Sequence, residues 1–306
     1  MNGTFVTEFI LTGLSDVPEV QHLLFLLFLV MYGITLVGNC GIVVIVWMST
    51  CLHTPMYFFL ANLSLVDICY STTIIPQSLV HLLSERKTIS FKGCATQLFS
   101  FAIFGTTECL LLAVMAFDRH TAICHPLHYM TIMNHRACIQ LVAASFAGGL
   151  LTSAINVGCI FRLCFCGPNE IQHFFCDVLP LLRLSCTIII FNKILLYTFS
   201  SLVTVSAVAV ILASYVSILS TVLRIPSAIG RLRAFSTCAS HFTCVLMFYG
   251  TIFFMYVGSV SSSSQDRDRV VSVFYTMVIP MLNPLVYSLR NRDVKEALKR
   301  ITERRY

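Results

Sequence analysis

Apolar positions in this chain neither alternate nor recur every third or fourth residue; they run on. Seven such stretches, 23–48, 57–83, 94–117, 138–161, 194–223, 234–257 and 270–289, are separated by polar links. Each is long enough to cross a hydrocarbon core of ~30 Å. Ten-residue alternation, the mark of an outer-membrane barrel, is missing, and only helices or closed barrels satisfy backbone groups in lipid. The pattern therefore predicts an all-α membrane protein, a seven-transmembrane helix bundle forming one domain over 1–306. Residues 1–22 precede the bundle, 23–289 form it and 290–306 follow as a tail. Only the 162–193 link is long. No internal repeat is visible, which argues against an inverted-repeat transporter.

Composition agrees, with 57% hydrophobic and 11% charged residues. So little charge cannot cover a water-facing surface, which excludes an ordinary soluble enzyme and a nucleic-acid binder. Where the charge sits gives the orientation. The first 22 residues carry no Lys or Arg and three acids, Glu8, Asp16 and Glu19. With that end outside, the inner segments hold twelve basic residues against four acids, seven of the twelve between Arg290 and Arg305. Eight basic and eight acidic residues balance outside. The positive-inside rule thus places the N-terminus outside. No cleavable signal is expected, because the first apolar run is long enough to anchor itself. Asn2-Gly3-Thr4 is then a glycosylation acceptor on the lumenal side. Of fourteen cysteines, Cys94, Cys164, Cys166, Cys176 and Cys186 face the oxidising side. The rest read as small packing residues.

Two acids lie inside spans, where ionisable groups are costly and functional candidates by default. Asp67 is eleven residues above Met56 and Glu108 eleven above Arg119, both about 16 Å deep. Asn39 lies at a matching depth, and Asn283 about 10 Å above Arg290. Four polar residues from four helices are expected to converge near the midplane. Two accounts stand: a hydrogen-bond network with one carboxylic acid protonated, or a hydrated cavity holding sodium between Asp67 and Glu108. Asp118-Arg119 is expected to end the third helix as an adjacent ion pair, weak if exposed, or as a conformational latch. Pro284 is expected to kink the seventh helix. Beyond Arg290, Val294, Ala297, Leu298 and Ile301 share one face, predicting a short amphipathic helix on the inner leaflet.

These residues together resemble a rhodopsin-like G-protein-coupled receptor, and within that class an odorant receptor. The likeness runs through Gly38-Asn39, Pro55-Met56-Tyr57, Leu63-Ser64-Leu65-Val66-Asp67 and Met115-Ala116-Phe117-Asp118-Arg119-His120. It continues through Ser214-Tyr215, Ala234-Phe235-Ser236-Thr237-Cys238-Ala239-Ser240-His241 and Pro280-Met281-Leu282-Asn283-Pro284-Leu285-Val286-Tyr287. The His173-Phe174-Phe175-Cys176-Asp177 block is similar to the terrestrial-vertebrate class. Phe117 and His120 stand where that family has tyrosines.

The resemblance implies disulfides Cys94–Cys176 and Cys166–Cys186, leaving Cys164 free. Asp118, Arg119, Tyr215, Pro284 and Tyr287 would form the coupling switch. A ligand site is expected between the outer halves of helices three, five, six and seven. Phe101, Ala102, Gly105, Thr106, Ser200, Ser201, Thr204, Tyr249, Ile252, Phe253 and Tyr256 are its expected residues. No acid or base sits in the outer half of helices three, five or six, so the ligand is expected to be small, neutral and mostly apolar. The expected partners are that odorant, the lipid bilayer and an olfactory-type stimulatory heterotrimeric G protein raising cyclic AMP. No cofactor other than the sodium alternative is implied, and no enzyme. The family places such chains in the plasma membrane of olfactory cilia. An ion or proton transporter using Asp67 and Glu108, and a receptor for a non-olfactory lipid, are the rival readings.

Overall fold

The computed structural model describes residues 6–165, 169–186, 189–259, 265–290, 294–297 and 299. Seven helical spans are long and apolar enough to cross a membrane. They are α1 (Pro18–Met48), α2 (Pro55–Leu83), α3 (Phe91–Cys124), α4 (His135–Ile160), α5 (Ile190–Leu223) and α6 (Ala228–Ser259). The seventh, α7, runs from Gln265–Val273 through a π-helical turn, Phe274–Val278, into Ile279–Arg290.

Local chemistry sets the starts. Pro18 and Pro55 open α1 and α2, where a missing N–H costs no helical bond. Ser90 caps α3 by accepting from the Gly93 N–H, and Asn134 caps α4 by accepting from that of Ala137. The stop of α3 differs from the sequence expectation. Nothing from His120 to Ile123 breaks a helix, so α3 passes Asp118-Arg119 and ends only before His125-Pro126.

The spans are apolar outward as well as inward, as lipid contact requires. Val37 is 76% exposed and Trp47 80%. Buried hydroxyls satisfy themselves on their own helices: Thr35 donates to the Met31 carbonyl, Ser71 to Asp67, Ser78 to Ile74 and Thr107 to Ile103.

Two close approaches position the interior. A Cβ on Gly149 of α4 would lie 2.7 Å from the Ile103 carbonyl oxygen and 2.5 Å from Thr107 Oγ1. The backbones of α3 and α4 touch there, and one turn further Ser153 Oγ donates to the Phe99 carbonyl at 2.8 Å. Between α1 and α7, a Cβ on Gly38 would come 2.9 Å from the Pro284 ring. Pro284 has no N–H, which frees the carbonyl of Pro280 four residues earlier. Asn39 Nδ2 donates to that carbonyl at 3.0 Å. Gly38-Asn39 and Pro284 are therefore one packing unit.

Outside the bundle the chain departs from all-helix. β1 (Glu8–Leu11) is the centre of a three-stranded sheet, antiparallel to β2 (Thr88–Ser90) and parallel to β3 (Glu170–Ile171). Glu8 and Ile10 face out while Phe9 and Leu11 are buried against Phe91 and Phe165. Beyond α7, 294–297 is helical, and Val294 and Ala297 pack into the main core. That face lies against the bundle; Leu298 and Ile301 lie outside the described residues, as does Asn2.

Gly149→Ala is expected to lower stability by about 1–3 kcal/mol through overpacking of α3 on α4. Detergent-solubilised thermal unfolding and surface expression measure it. Gly158→Ala, with nothing within 4 Å of the new Cβ, is expected to leave both unchanged.

Candidate functional site

The midplane cluster is built on one amide. Asn283 Nδ2 donates to Asp67 Oδ2 at 3.1 Å and to Glu108 Oε1 at 3.3 Å, and all three side chains are buried. A single nitrogen thus joins α2, α3 and α7. Asn39 does not enter this triad; its Nδ2 is committed to the Thr35 and Pro280 carbonyls. The buried oxygens of Asn39 and Asn283 have no hydrogen-bond partner among the described residues. The two carboxyls offer oxygen donors of the type that hard cations take. Among the described residues no group of three or more His, Cys, Asp or Glu could hold a metal ion, which argues against a multi-carboxylate or thiolate centre.

Toward the extracellular side, α3 to α7 and the long outer loop line a cavity of about 330 Å³. That volume suits a small ligand. Phe101, Ala102, Gly105 and Thr106 of α3, Ser200 and Thr204 of α5 and Ile252 of α6 line it. Three expected positions do not. Phe253 is 70% exposed on the lipid face, one helical step of about 100° from Ile252. Ser201 is likewise exposed. Tyr249 lies outside the lining; its hydroxyl donates to the Cys109 carbonyl at 2.9 Å and so braces the cavity wall from behind. The side chain of Tyr256 lies outside the described residues.

Other lining residues were not expected. Tyr70 comes from α2, Thr152 and Asn156 from α4, Asp177 from the loop and Tyr275 from the π turn of α7. Asp177 matters most, because it puts an acid on a wall expected to have none. Its carboxylate accepts from the Val178 N–H at 2.7 Å. Burial pushes this carboxyl up to about 6, the Val178 bond opposes the rise, and the nearby Asp268 carboxylate adds to it. No Lys, Arg or His lines the cavity among the described residues.

The loop is pinned over the cavity at several points. Cys94 at the top of α3 is bonded to Cys176. Gln97 Oε1 accepts from the Cys176 N–H at 2.9 Å. His173 Nε2 meets Ser272 Oγ at 3.0 Å, and that hydroxyl is itself committed to the Asp268 carbonyl. The shared hydroxyl makes His173 the donor, so its proton sits on Nε2. Burial pushes the imidazole down to about 3, with the Arg269 charge adding to the fall, so it stays neutral. Cys186 is also disulfide-bonded and Cys164 is free, while Cys166 lies outside the described residues.

At the inner end the expected Asp118–Arg119 ion pair is absent within 4.0 Å among the described residues. Asp118 instead accepts from the Tyr129 hydroxyl at 2.8 Å, in a short helix after α3, and both Asp118 and Arg119 are buried. Adjacent residues on a helix point about 100° apart, which favours the cross-loop partner. Tyr215 and His241 carry a second link. His241 Nε2 is 3.0 Å from the Leu112 carbonyl, which only accepts, so His241 Nδ1 accepts from the Tyr215 hydroxyl at 2.6 Å. One neutral imidazole on α6 therefore ties α3 and α5. Ser240 beside it donates to the Val286 carbonyl of α7 at 3.2 Å. Tyr287 is buried in the same core, and Pro284 sits against Gly38. The sequence motif contained His241, but nothing in its spacing announced two partners on two helices.

Seven spans, an outer cavity under a disulfide-pinned loop, a carboxyl–amide triad at the midplane and a buried Asp-Arg pair at the inner end are the features of a rhodopsin-like receptor. The chain belongs to the olfactory receptor family. The family model described as olfactory receptor matches residues 28–305. Over 300 residues the chain is 55% identical to olfactory receptor 5AP2 of Mus musculus, covering 98% of this chain and 95% of that one. Olfactory receptor 5AP2 of Homo sapiens is 53% identical with the same coverage. Olfactory receptor OR9H1 of Homo sapiens is 51% identical over 98% of this chain and 97% of its own length. The protein is accordingly a multi-pass plasma membrane protein.

Asn283→Ala leaves two buried carboxyls without their shared donor. Thermal unfolding is expected to show a loss of about 1–3 kcal/mol.

Proposed function

We propose that the chain binds a small, neutral, mostly apolar odorant in the outer cavity and activates an olfactory-type stimulatory heterotrimeric G protein, raising cyclic AMP. The observation that carries this reading is the cavity itself. It is bordered by the pinned loop at Asp177, Val178 and Leu179, walled by aliphatic and aromatic side chains with scattered hydroxyls, and braced by Tyr249 at Cys109. A carboxylate ligand would find no base there among the described residues. The inner face is held by bonds that a shift of α6 must break: His241 to Leu112 and Tyr215, and Ser240 to Val286. A ligand wedged against Phe248 and Ile252 of α6 favours one arrangement of that helix over another, which is what activation requires. Arg119, now buried, would be uncovered as α6 leaves. A cyclic AMP reporter in cells given volatile panels tests this. Agonist responses are expected, and Arg119→Ala is expected to abolish them at unchanged surface expression; an unchanged response in that variant would overturn its role.

The close approach of two buried carboxyls also supports a sodium ion held by Asp67 and Glu108 in place of the Asn283 amide nitrogen that now joins them. Such an ion would neutralise carboxylate charge between α2 and α3 and favour the packed arrangement. Thermal stability of the purified receptor is expected to be higher in sodium chloride than in N-methylglucamine chloride, and Asp67→Asn is expected to remove the difference. Equal stability in both salts would leave the hydrogen-bond network alone.

A further inference from the structure

Asn156 is on the cavity side of α4, a helix from which no ligand contact was expected. The close approach at Gly149 and the Ser153 bond to Phe99 press α4 against α3, and this carries Thr152 and Asn156 to the cavity wall. Asn156 is 7% exposed, and its Oδ1 is enclosed with no hydrogen-bond partner. Its Nδ2 makes no hydrogen bond within the protein either, among the described residues. Every other buried asparagine of the interior uses its amide: Asn39 on Pro280 and Thr35, Asn283 on two carboxyls. A carboxamide this enclosed and this idle is out of keeping with the rest of the bundle, because unpaired buried polar groups are destabilising.

We propose that Asn156 is a specificity-determining residue, and that the odorant is an alcohol or phenol whose hydroxyl pairs with this carboxamide. The inference rests on the cavity being the odorant site. A hydroxyl both donates and accepts, so it satisfies either end of the amide, whichever is turned to the ligand. The other charged or amide-like group on the wall, Asp177, is an acceptor, and it too takes a donating O–H. An ether, ester or ketone only accepts, so it can meet the amide N–H but gives no hydrogen to the amide oxygen or to the remaining acceptor capacity of Asp177. A hydrocarbon leaves the whole carboxamide unpaired.

The test uses the full-length receptor in the cyclic AMP reporter, with surface expression measured in parallel. The probes are medium-chain primary alcohols with their methyl ethers, aldehydes and amines, and phenols with their anisoles. The wild-type receptor is expected to favour a hydroxyl compound over its methyl ether by about tenfold in potency, the size of one hydrogen bond. Asn156→Leu, close in shape but without the amide, is expected to erase that preference by weakening the hydroxyl compound about tenfold while sparing the ether. Asn156→Val serves the same purpose if the leucine variant fails to reach the surface. Wild-type agonists confined to ethers, aldehydes or amines would overturn the inference and leave the odorant-receptor reading intact. So would an undiminished hydroxyl preference in a surface-expressed Asn156 variant. A surface-expressed wild-type receptor silent to every class in a broad volatile panel would overturn that reading, and this inference with it.

Discussion

Hydrocarbon offers no hydrogen-bond partner, and the interior of this protein is arranged around that single lack. Each polar group in a span must be satisfied by another part of the chain. Serine and threonine hydroxyls turn back on their own helices. Pro284 strips one backbone bond from α7, and Asn39 supplies its replacement from α1. Two carboxyls that lipid cannot stabilise meet one amide between them. The bundle is consequently knitted where it is most polar: α1 to α7, α2 to α3 and α7, and α3 to α5 and α6.

The same accounting separates the rigid part of the molecule from the part built to move. Links near the midplane are made by side chains enclosed on all sides. Among the described residues, links at the inner end of α6 are few and single: one imidazole shared by Tyr215 and the Leu112 carbonyl, and one serine on Val286. Toward the outside, α3 and α4 are locked backbone to backbone at Gly149, while the opposite wall belongs to α5 and α6. On the proposed reading, a ligand in the cavity would press a fixed wall on one side and a movable one on the other, and displacement would be channelled toward α6.

Much of this was legible in the residues. Uninterrupted apolar runs mark the spans because lipid tolerates nothing else. That Asp67, Glu108 and Asn283 converge near the midplane could be read from their depths, since a helix rises by a fixed amount per residue. Asn39 matched them in depth, yet depth says nothing of rotation, and it faces Pro280 instead. Rotation also separates Ile252 from Phe253. The contributions of Asp177, Tyr70 and Asn156 to the cavity were hidden for another reason. They depend on where a loop is pinned and on how closely α4 approaches α3, and neither distance is written in any local pattern. The strand at Glu8–Leu11 is four residues long and forms only because two later segments come to it.

That strand has a bearing on biosynthesis. β1 leaves the ribosome before either of its partners, since Ile10 pairs with Thr88 and with Glu170. Its antiparallel neighbour arrives after α2 has been inserted, and its parallel one only after α4. Throughout that interval Phe9 and Leu11 are carried on an open strand edge in the lumen, the kind of surface that folding helpers bind. The lumenal sheet closes only once more than half of the chain has been threaded in the correct orientation. A complete sheet therefore requires that the segments on either side of the first four helices have reached the same face of the membrane.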